Sequence, residues 1–374
     1  MKQRAFNILL TVLFCLFIGG MFLGSLILPD RDFSQLENRK LAQTPALSLE
    51  NITTGKFMED AEDYVNDQIL GRDFWVALKA WSERVSGKQE NNGVYFAKED
   101  TLISRVDTPE QSTLDTNAGY VNALVDNVDV PVYFGIIPSA AEIWSDRLPE
   151  GAPTADEKAI IDRLYNEVQT HTIDLYSALA QHKDEDLYYR TDHHWTSLGA
   201  FYGYTALMDA MGLEAVPLDE SQKVTVSEDF YGTLFSSSGV RWLPPDHIDR
   251  YISDEGVTVT AYPNGTPEPG SLYVDSYLEV KDKYSSFLGG NKPLCVIETK
   301  HTDAPKVLVI RDSYADSLAP FLTQNFSEIH LFDPRYNLTS VKDYVTQNEI
   351  DSVVVLYSIS NFTARDNQMF VLGR

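Results

Sequence analysis

Residues able to carry out acyl transfer stand at two separate places in this sequence. Asp192, His193 and His194 follow one another within residues 190–200, which read Arg-Thr-Asp-His-His-Trp-Thr-Ser-Leu-Gly-Ala. Ser313 comes soon after the apolar run 306–310. A serine nucleophile, a histidine base and a carboxylate that orients the base are the minimum set for acyl transfer through a covalent intermediate. These residues are therefore candidates for one active site, provided that the fold brings them together.

The Asp-His-His segment is expected in a loop between a strand and a helix that begins near Ser197. Loops of this kind carry the ligand-binding residues of open α/β sheets. If the segment is extended, Asp192 and His194 point to one side and His193 points to the other. Asp192 would then accept a hydrogen bond from one ring nitrogen of His194, which leaves the second nitrogen available as the base.

Two other roles are open to the same three residues. The histidines can be partly buried structural side chains, or they can bind a metal ion together with Asp192. No further histidine or carboxylate stands at a recognisable ligand spacing. Catalysis is therefore the preferred interpretation, and neither a metal nor an organic cofactor is predicted.

Ser313 also has two interpretations. Serine is a favoured N-cap, so a structural role at the start of the following helix is the preferred explanation when Ser313 is considered alone. The same position at the carboxyl end of a strand would expose a nucleophile, with the first amides of the helix directed at a developing oxyanion. The neighbouring Asp312 is interpreted as a loop or capping residue rather than as a second catalytic carboxylate.

The N-terminus predicts a membrane segment. An almost unbroken apolar run extends from Ile8 to Leu28, and Lys2 and Arg4 precede it. Such a run is long enough to span a bilayer, and the charges predict that the rest of the chain lies outside the cytoplasm. Residues 1–29 are therefore expected to be an uncleaved signal anchor in the cell membrane. The alternative is a cleaved signal peptide and a secreted protein.

Composition agrees with an exported globular protein. The chain has 30 basic and 55 acidic residues, a formal net charge of −25. This charge argues against nucleic-acid binding, which requires a basic surface. The chain has two cysteines, and Cys15 lies in the apolar run, which leaves Cys295 without an intradomain partner. The fold must therefore be stabilised by its hydrophobic core rather than by disulfides.

The pattern of apolar runs predicts an α/β fold. Runs typical of strands occur at 131–137, 306–310, 328–332 and 352–357, with amphipathic helical segments between them. Because these strands are apolar on both faces, a mostly parallel sheet flanked by helices is expected. Residues 30–90 are expected to form a stalk and a helical N-terminal segment, and residues 91–374 the main domain. A small antiparallel hairpin insertion is predicted at about 250–284, with its two strands at 257–260 and 272–274.

The motif Asp192-His193-His194-Trp195 resembles the name-giving motif of the DHHW family. With Asp312-Ser313-Tyr314, it is also similar to the circularly permuted SGNH-hydrolase domain of the alginate O-acetyltransferases AlgX and AlgJ. The resemblance extends from about Phe33 to the C-terminus. It covers further short motifs, namely Glu37-Asn38-Arg39, Asp67-Gln68, Gly71-Arg72-Asp73 and Asn92-Gly93-Val94-Tyr95.

The resemblance implies a role for each candidate residue. Ser313 would be the nucleophile, His194 the base and Asp192 the residue that orients the base, in a Ser-His-Asp triad. The order of Asp and His before Ser is that expected after circular permutation. The backbone N–H of Ser313 would contribute to the oxyanion hole. Its side-chain donor would be either Asn361, which the permuted order favours, or Asn291, which the Gly-Gly-Asn context favours.

The resemblance further implies an O-acetyltransferase-like protein that acts on a surface polysaccharide or cell-wall polymer. A membrane-bound O-acyltransferase partner would deliver acetyl groups across the bilayer. Two alternatives remain open at this point. One is an acetyl esterase acting on the same polymers, and the other is a non-catalytic polysaccharide-binding or assembly protein that retains the motif for structural reasons.

Overall fold

The computed structural model describes residues 2–374. The chain divides into two compact units, of which one comprises the chain up to Lys88 together with Phe235–Trp242, and the other comprises Gln89–Leu234 and Leu243–Arg374. The first unit contains one long and several short elements. They are α1 (Lys2–Ile27), β1 (Phe33–Ser34), β2 (Arg39–Lys40), α2 (Leu49–Thr53), α3 (Lys56–Gln68) and α4 (Arg72–Val85).

Helix α1 forms because its residues are almost all apolar and no proline interrupts them. Its segment Gln3–Ile27 is long and apolar enough to cross a membrane. Near its end, the Ser25 hydroxyl accepts a hydrogen bond from the backbone N–H of Leu70 at 2.9 Å. The helix is compatible with either a signal anchor or a signal peptide.

An ion-pair network stabilises the rest of the first unit. Arg72 donates two hydrogen bonds to the carboxylate of Glu37, at 2.7 and 2.8 Å. Arg39 donates to Glu37 at 2.8 Å and to Asp67 at 2.8 Å. Burial alone would raise the pKa of Glu37, but the hydrogen bonds and charges of Arg72 and Arg39 hold this pKa below its usual value. These contacts tie the β1–β2 hairpin to helices α3 and α4.

The chain from Gln89 onwards contains the remaining strands and helices. The strands are β3 (Glu90–Asn91), β4 (Val94–Phe96), β5 (Leu102–Ser104), β6 (Val132–Ile137), β7 (His171–Thr172), β8 (Val224–Phe230), β9 (Asp246–Arg250), β10 (Thr258–Ala261), β11 (Glu268–Pro269), β12 (Leu294–Glu298), β13 (Lys306–Arg311), β14 (Glu328–Phe332) and β15 (Ser352–Ser358). The helices are α5 (Gln111–Asn127), α6 (Ala140–Ile143), α7 (Glu157–Glu167), α8 (Leu175–Ala180), α9 (Ser197–Met211), α10 (Thr233–Ser238), α11 (Ala315–Leu322), α12 (Val341–Gln347) and α13 (Ile359–Phe362).

A sheet of eight strands in the order β11-β10-β12-β14-β13-β15-β6-β7 forms the centre of the second unit. The five strands from β14 to β7 are parallel, whereas β12, β10 and β11 are added antiparallel. Side chains of β13 alternate between two buried layers, with Val307 and Val309 on one face and Leu308 and Ile310 on the other. The first layer includes residues of α8, α9 and α11, and the second includes residues of α5, α7 and α12. The predicted mostly parallel sheet flanked by helices is confirmed.

The antiparallel insertion differs from the predicted hairpin in its pairing. The sequence favoured a partner strand at 272–274, but β10 pairs with β11, so that Thr260 lies opposite Pro269. A short loop at 262–267 closes the hairpin earlier than expected. Leu272 is buried in the core, and Tyr273 makes only an isolated bridge to Phe287. The hairpin extends the central sheet because β10 also pairs with β12.

Candidate active site

Ser313 lies at the carboxyl end of β13, in the short connection to α11. The preceding Asp312 is completely buried and holds this connection in place. Its carboxylate accepts hydrogen bonds from the backbone N–H of Tyr314 at 3.0 Å and from the backbone N–H and hydroxyl of Ser358 at 2.9 and 2.6 Å. These bonds join the ends of β13 and β15. Asp312 thus has the loop role expected of it, and Ser313 is left partly exposed.

His194 lies beside Ser313 although 119 residues separate them. The His194 Nε2 atom is 2.8 Å from the Ser313 Oγ atom. The other ring nitrogen, Nδ1, is 2.6 Å from Asp192 Oδ1, which also accepts the backbone N–H of His194 at 3.0 Å. The three side chains therefore form one hydrogen-bonded chain from carboxylate to imidazole to hydroxyl.

The carboxylate of Asp192 is buried and has further donors. Its Oδ2 atom accepts the backbone N–H of Thr233 at 2.7 Å and the Thr233 hydroxyl at 3.0 Å. Burial alone would raise the pKa of Asp192, but the charges of His193 and His194 and the hydrogen bonds from His194 and Thr233 hold this pKa well below its usual range. Asp192 is therefore ionised at neutral pH, as a residue that stabilises an imidazolium must be.

A glycine permits the close approach of the Thr233 segment to Asp192. A Cβ atom at Gly232 would lie 2.2 Å from Asp192 Cβ and 2.3 Å from Asp192 Oδ2. No side chain fits at this distance, so only glycine allows the backbone here to reach the carboxylate. Neither Gly232 nor Thr233 was singled out from the sequence, because nothing local marks a contact made 41 residues away.

His193 does not point away from His194 as the sequence analysis expected. Residues 190–194 form a series of bends rather than an extended strand, so the two imidazole rings lie on the same side, with their centres 3.8 Å apart. The Nδ1 atom of His193 is 2.7 Å from the Thr233 hydroxyl. Burial and the charge of His194 lower the pKa of His193 to about 4, so this ring is neutral at pH 7.

Asp192, His193 and His194 also have their possible ligand atoms within 4.8 Å of one another, which is compatible with a metal ion. However, the 2.6 Å distance between Asp192 Oδ1 and His194 Nδ1 is that of a hydrogen bond. A metal bound to both atoms would have to displace the shared proton. The donor geometry therefore favours a charge-assisted hydrogen bond over a metal site.

Tyr284 is a member of the site that sequence analysis missed. Its ring stacks on the His194 ring, with a centroid distance of 3.8 Å and an interplanar angle of 9°. Its hydroxyl donates to the backbone carbonyl of Ser313 at 3.0 Å and is 3.1 Å from the Ser317 hydroxyl. Tyr284 comes from a turn-rich segment without helical or strand periodicity, so no sequence signal pointed to it.

Trp195, the last residue of the motif, has a structural position. Its indole is completely buried in the core. The indole N–H donates to the backbone carbonyl of Tyr314 at 2.9 Å and to the Ser317 hydroxyl at 3.0 Å. Trp195 therefore fastens the loop that carries His194 to the start of helix α11.

The two asparagines considered for the oxyanion hole occupy different places. The Asn361 side-chain amide donates at 2.8 Å to the Oδ2 atom of Asp312, which is the residue that precedes Ser313. The Asn291 side-chain oxygen accepts from Arg311 Nη1 at 3.1 Å. Arg311 is completely buried and pairs with Asp316 at 2.9 Å, so Asn291 supports the buried end of β13 instead.

Comparison with known proteins relates the chain to one family. A family profile described as DHHW protein matches residues 110–332. The chain is similar in structure to a DHHW family protein from Eubacterium siraeum, with 26% identity, a TM-score of 0.66, and coverage of 75% of this chain and 95% of that one. No curated protein sequence matches it significantly.

Two further structures show weaker similarity. PatB1 of Bacillus cereus, solved with a sulfonyl adduct, is 21% identical, with a TM-score of 0.62 and coverage of 74% of this chain and 98% of that one. The O-acetyltransferase domain of Pseudomonas putida AlgJ is 16% identical, with a TM-score of 0.46 and coverage of 73% and 93%. Because the profile match includes the Asp-His-His-Trp motif and extends over more than half of the sequence, this chain belongs to the DHHW family.

Proposed function

We propose that this protein is a membrane-anchored, extracytoplasmic enzyme that transfers acetyl groups to hydroxyls of a surface polysaccharide or cell-wall polymer. The observation that supports this proposal best is the hydrogen-bonded chain in which Ser313 Oγ lies 2.8 Å from His194 Nε2. A serine within this distance of a base that is itself held by a carboxylate is the arrangement that nucleophilic acyl transfer requires.

In the first half-reaction, Ser313 Oγ attacks the carbonyl carbon of an acetyl ester while its proton moves to His194 Nε2. The tetrahedral intermediate then collapses, the bond to the leaving alcohol breaks, and His194 returns the proton to that alcohol. The product is an acetyl ester on Ser313. Asp192 remains ionised throughout and stabilises the imidazolium through the hydrogen bond to Nδ1.

In the second half-reaction, His194 accepts the proton of an acceptor sugar hydroxyl as its oxygen attacks the acetyl carbon. The ester bond to Ser313 breaks, and the serine oxygen recovers the proton from His194. The backbone N–H of Ser313 is the proposed main donor to the oxyanion in both steps. Asn361 is the better side-chain candidate because its amide lies beside Asp312, whereas Asn291 contacts the buried Arg311.

The proposal includes attachment of the protein to the membrane. Residues 1–29 would anchor the protein, and residues 30–90 would connect the anchor to the catalytic domain. Residues 91–374 would form this catalytic domain, which would be SGNH-like. The apolar character of Gln3–Ile27 supports the anchor. A membrane-bound O-acyltransferase would supply acetyl groups to Ser313 from the cytoplasmic side.

The decisive experiment is intact-mass spectrometry of the full chain in detergent after exposure to an aryl acetate. The wild type should gain one acetyl group, and Ser313→Ala should gain none. Ser112→Ala, which removes an exposed hydroxyl from helix α5, is the matched control and should acylate as the wild type does.

The fate of the acetyl group separates the proposal from its alternatives. With a neutral oligosaccharide present, a transferase should yield an acetylated sugar, whereas an esterase should release only acetate. A folded wild-type protein that is never acylated by the aryl acetate would instead favour the non-catalytic polysaccharide-binding protein.

A further inference from the structure

A cavity of about 740 Å³ opens at the same edge of the central sheet as Ser313, on the antiparallel side. Its walls come from the loop after β10, the start of β12, the loop after β14 and helix α12. We call it the tyrosine groove, after Tyr262, Tyr336 and Tyr344, which line it. Its volume is in the range of small-molecule binding sites, and nothing in the proposed triad chemistry uses it.

The register of the sheet places this groove near the nucleophile. Leu294, in the groove wall, lies opposite Phe332 of β14, which in turn lies opposite Ile310 of β13. Two strand spacings amount to about 10 Å. Ser313 follows Ile310 by three residues along the same strand end. The groove lies on the side of the sheet covered by α12, whereas Trp195 and Tyr314, next to His194 and Ser313, lie on the side covered by α9 and α11. A polysaccharide bound in the groove therefore has to pass over the ends of β14 and β13 to reach the Ser313 hydroxyl.

The tyrosines present ring surface to the cavity. Tyr336 is 57% exposed. Tyr344 is held by a 2.7 Å hydrogen bond between its hydroxyl and His330 Nδ1 and by edge contact with the Phe332 ring. Flat apolar rings with polar edges suit the C–H faces of a pyranose ring, which buries its apolar surface while its hydroxyls stay hydrogen-bonded.

Polar side chains around the rings supply the hydrogen-bonding groups. Asn264, Asp343 and Gln347 line the groove, and all three are exposed. Amides provide both donors and acceptors, and a carboxylate provides acceptors only. This mixture matches sugar hydroxyls, each of which donates and accepts.

The charge of the groove restricts the class of sugar. Among its lining residues, Asp343 is charged and there is neither lysine nor arginine. Arg335, whose guanidinium lies 5.5 Å from the Tyr336 ring centre, is paired with Asp333, to which its side chain donates at 2.9 and 2.7 Å. The whole chain has a formal net charge of −25. A polyanionic polymer such as a polyuronate would be repelled.

We infer that the tyrosine groove binds sugars of an acceptor polysaccharide a few residues along the polymer from the acetylated one, and that this polymer is composed of neutral or amino sugars. This inference rests on the proposed function for the identity of the acceptor. Binding in the groove positions one hydroxyl of the chain at the Ser313 acetyl ester, and the groove, rather than the triad, selects the polymer.

The test measures equilibrium binding to the full chain in detergent by titration calorimetry, without any acetyl donor. The probes are chitohexaose, which is neutral, a glucosamine hexamer, which is cationic, and a galacturonate hexamer, which is anionic. The first two should bind, and the third should show no measurable binding. Tyr336→Ala should weaken binding of chitohexaose and of the glucosamine hexamer by about tenfold, which is the effect of losing one aromatic contact. Asp343→Asn should weaken binding of the glucosamine hexamer more than that of chitohexaose.

Trp81→Ala is the matched control, because this aromatic is 55% exposed and lies on helix α4 of the first unit. It should bind all three probes as the wild type does. The inference is overturned if no hexamer binds, if galacturonate binds as tightly as chitohexaose, or if Tyr336→Ala binds like the wild type. None of these results depends on acylation of Ser313, so failure of the proposed chemistry would be seen separately in the mass-spectrometry experiment.

Discussion

The phenol ring of Tyr284 lies flat on the imidazole ring of His194, with ring centres 3.8 Å apart and planes inclined by only 9°. The hydroxyl of the same tyrosine holds the backbone carbonyl of Ser313 at 3.0 Å. One buried side chain therefore fixes both the plane of the proposed base and the position of the proposed nucleophile. Stacking also places a π face against a ring that would become cationic in the proposed reaction.

We predict that Tyr284→Leu lowers kcat for aryl acetate turnover by about tenfold, because it removes roughly 1.4 kcal/mol of ring contact. Tyr284→Phe should recover most of this activity, since it keeps the ring and loses only the hydroxyl contacts. Steady-state kinetics and melting curves of both variants provide the measurement. Equal losses in the two variants would show that the hydroxyl, and not the stack, matters.

Substitutions around His194 should distinguish the carboxylate that the proposed reaction requires from neighbouring residues that only support it. Asp192→Asn should lower kcat by a factor on the order of 10⁴, because an amide can neither hold the required His194 tautomer nor stabilise its cation. His193→Ala should cost only about tenfold, since it removes one hydrogen bond to the Thr233 hydroxyl that supports Asp192. Single-turnover acylation rates measure both. A His193→Ala loss as large as that of Asp192→Asn would make His193 a direct participant.

The contact between Gly232 and Asp192 predicts that a single methyl group is enough to damage the site. Gly232→Ala places a Cβ atom 2.2 Å from Asp192 Cβ, so the carboxylate must move away from His194. We expect kcat to fall at least about a hundredfold, in line with the cost of a small misplacement of a catalytic group. Gly119→Ala in helix α5, where a Cβ atom meets nothing within 4 Å, is the control and should keep wild-type activity. Normal activity in Gly232→Ala would show that the Asp192 position is not critical.

Glu157 should make stability depend on pH in an unusual direction. Burial raises the pKa of this completely buried carboxyl from 4.5 to about 7, although hydrogen bonds from Ser139 oppose the shift. Because the folded state favours the protonated form, the contribution of Glu157 to stability is complete below pH 4.5 and is lost as the pH rises through 7. This loss amounts to about 3 kcal/mol in total.

Urea unfolding of wild type and Glu157→Gln at pH 5 and pH 7.5 tests this prediction. The wild type should lose more stability than the variant between the two values, because glutamine does not titrate. Glu150→Gln, at an exposed position, should behave like the wild type. If the free energy of unfolding of the wild type and of Glu157→Gln changes equally between the two pH values, the Glu157 carboxyl titrates in its usual range.

The proposed topology predicts that protease added to intact cells cleaves the domain that follows α1, and that the protein fractionates with membranes. Both follow from the apolar helix Gln3–Ile27 and the basic residues before it. A domain protected in intact cells and cleaved only after lysis would reverse the orientation. A soluble protein that begins near Pro29 would indicate a cleaved signal peptide.

Local sequence patterns were sufficient for much of the fold. Helix α9 begins at Ser197 with the Thr196 hydroxyl as its N-cap and ends at Met211, after which Gly212 adopts a left-handed conformation. Strands such as β13 and β15 were predictable because they are buried on both faces and therefore apolar throughout. The placement of Ser313 at a strand end also followed from short-range patterns, because backbone propensity and hydrophobic periodicity act over a few residues. The strand expected before His194 was wrong, since this loop connects α8 to α9 and makes only an isolated bridge between Tyr188 and Trp195.

Contacts between loops distant in sequence were decided only by the tertiary structure. The bends at 190–194 turned His193 towards His194, against the extended geometry assumed from the sequence. Tyr284, Thr233 and Gly232 reached the site from segments without periodicity, and the tyrosine groove formed where two loops, the start of β12 and helix α12 meet at one sheet edge. The sequence by itself determined the parallel sheet, the apolar N-terminal helix and the DHHW motif, since each is encoded by neighbouring residues. Which side chains surround His194 was determined by packing across the whole sheet, because such contacts leave no mark on the residues adjacent to them in the chain.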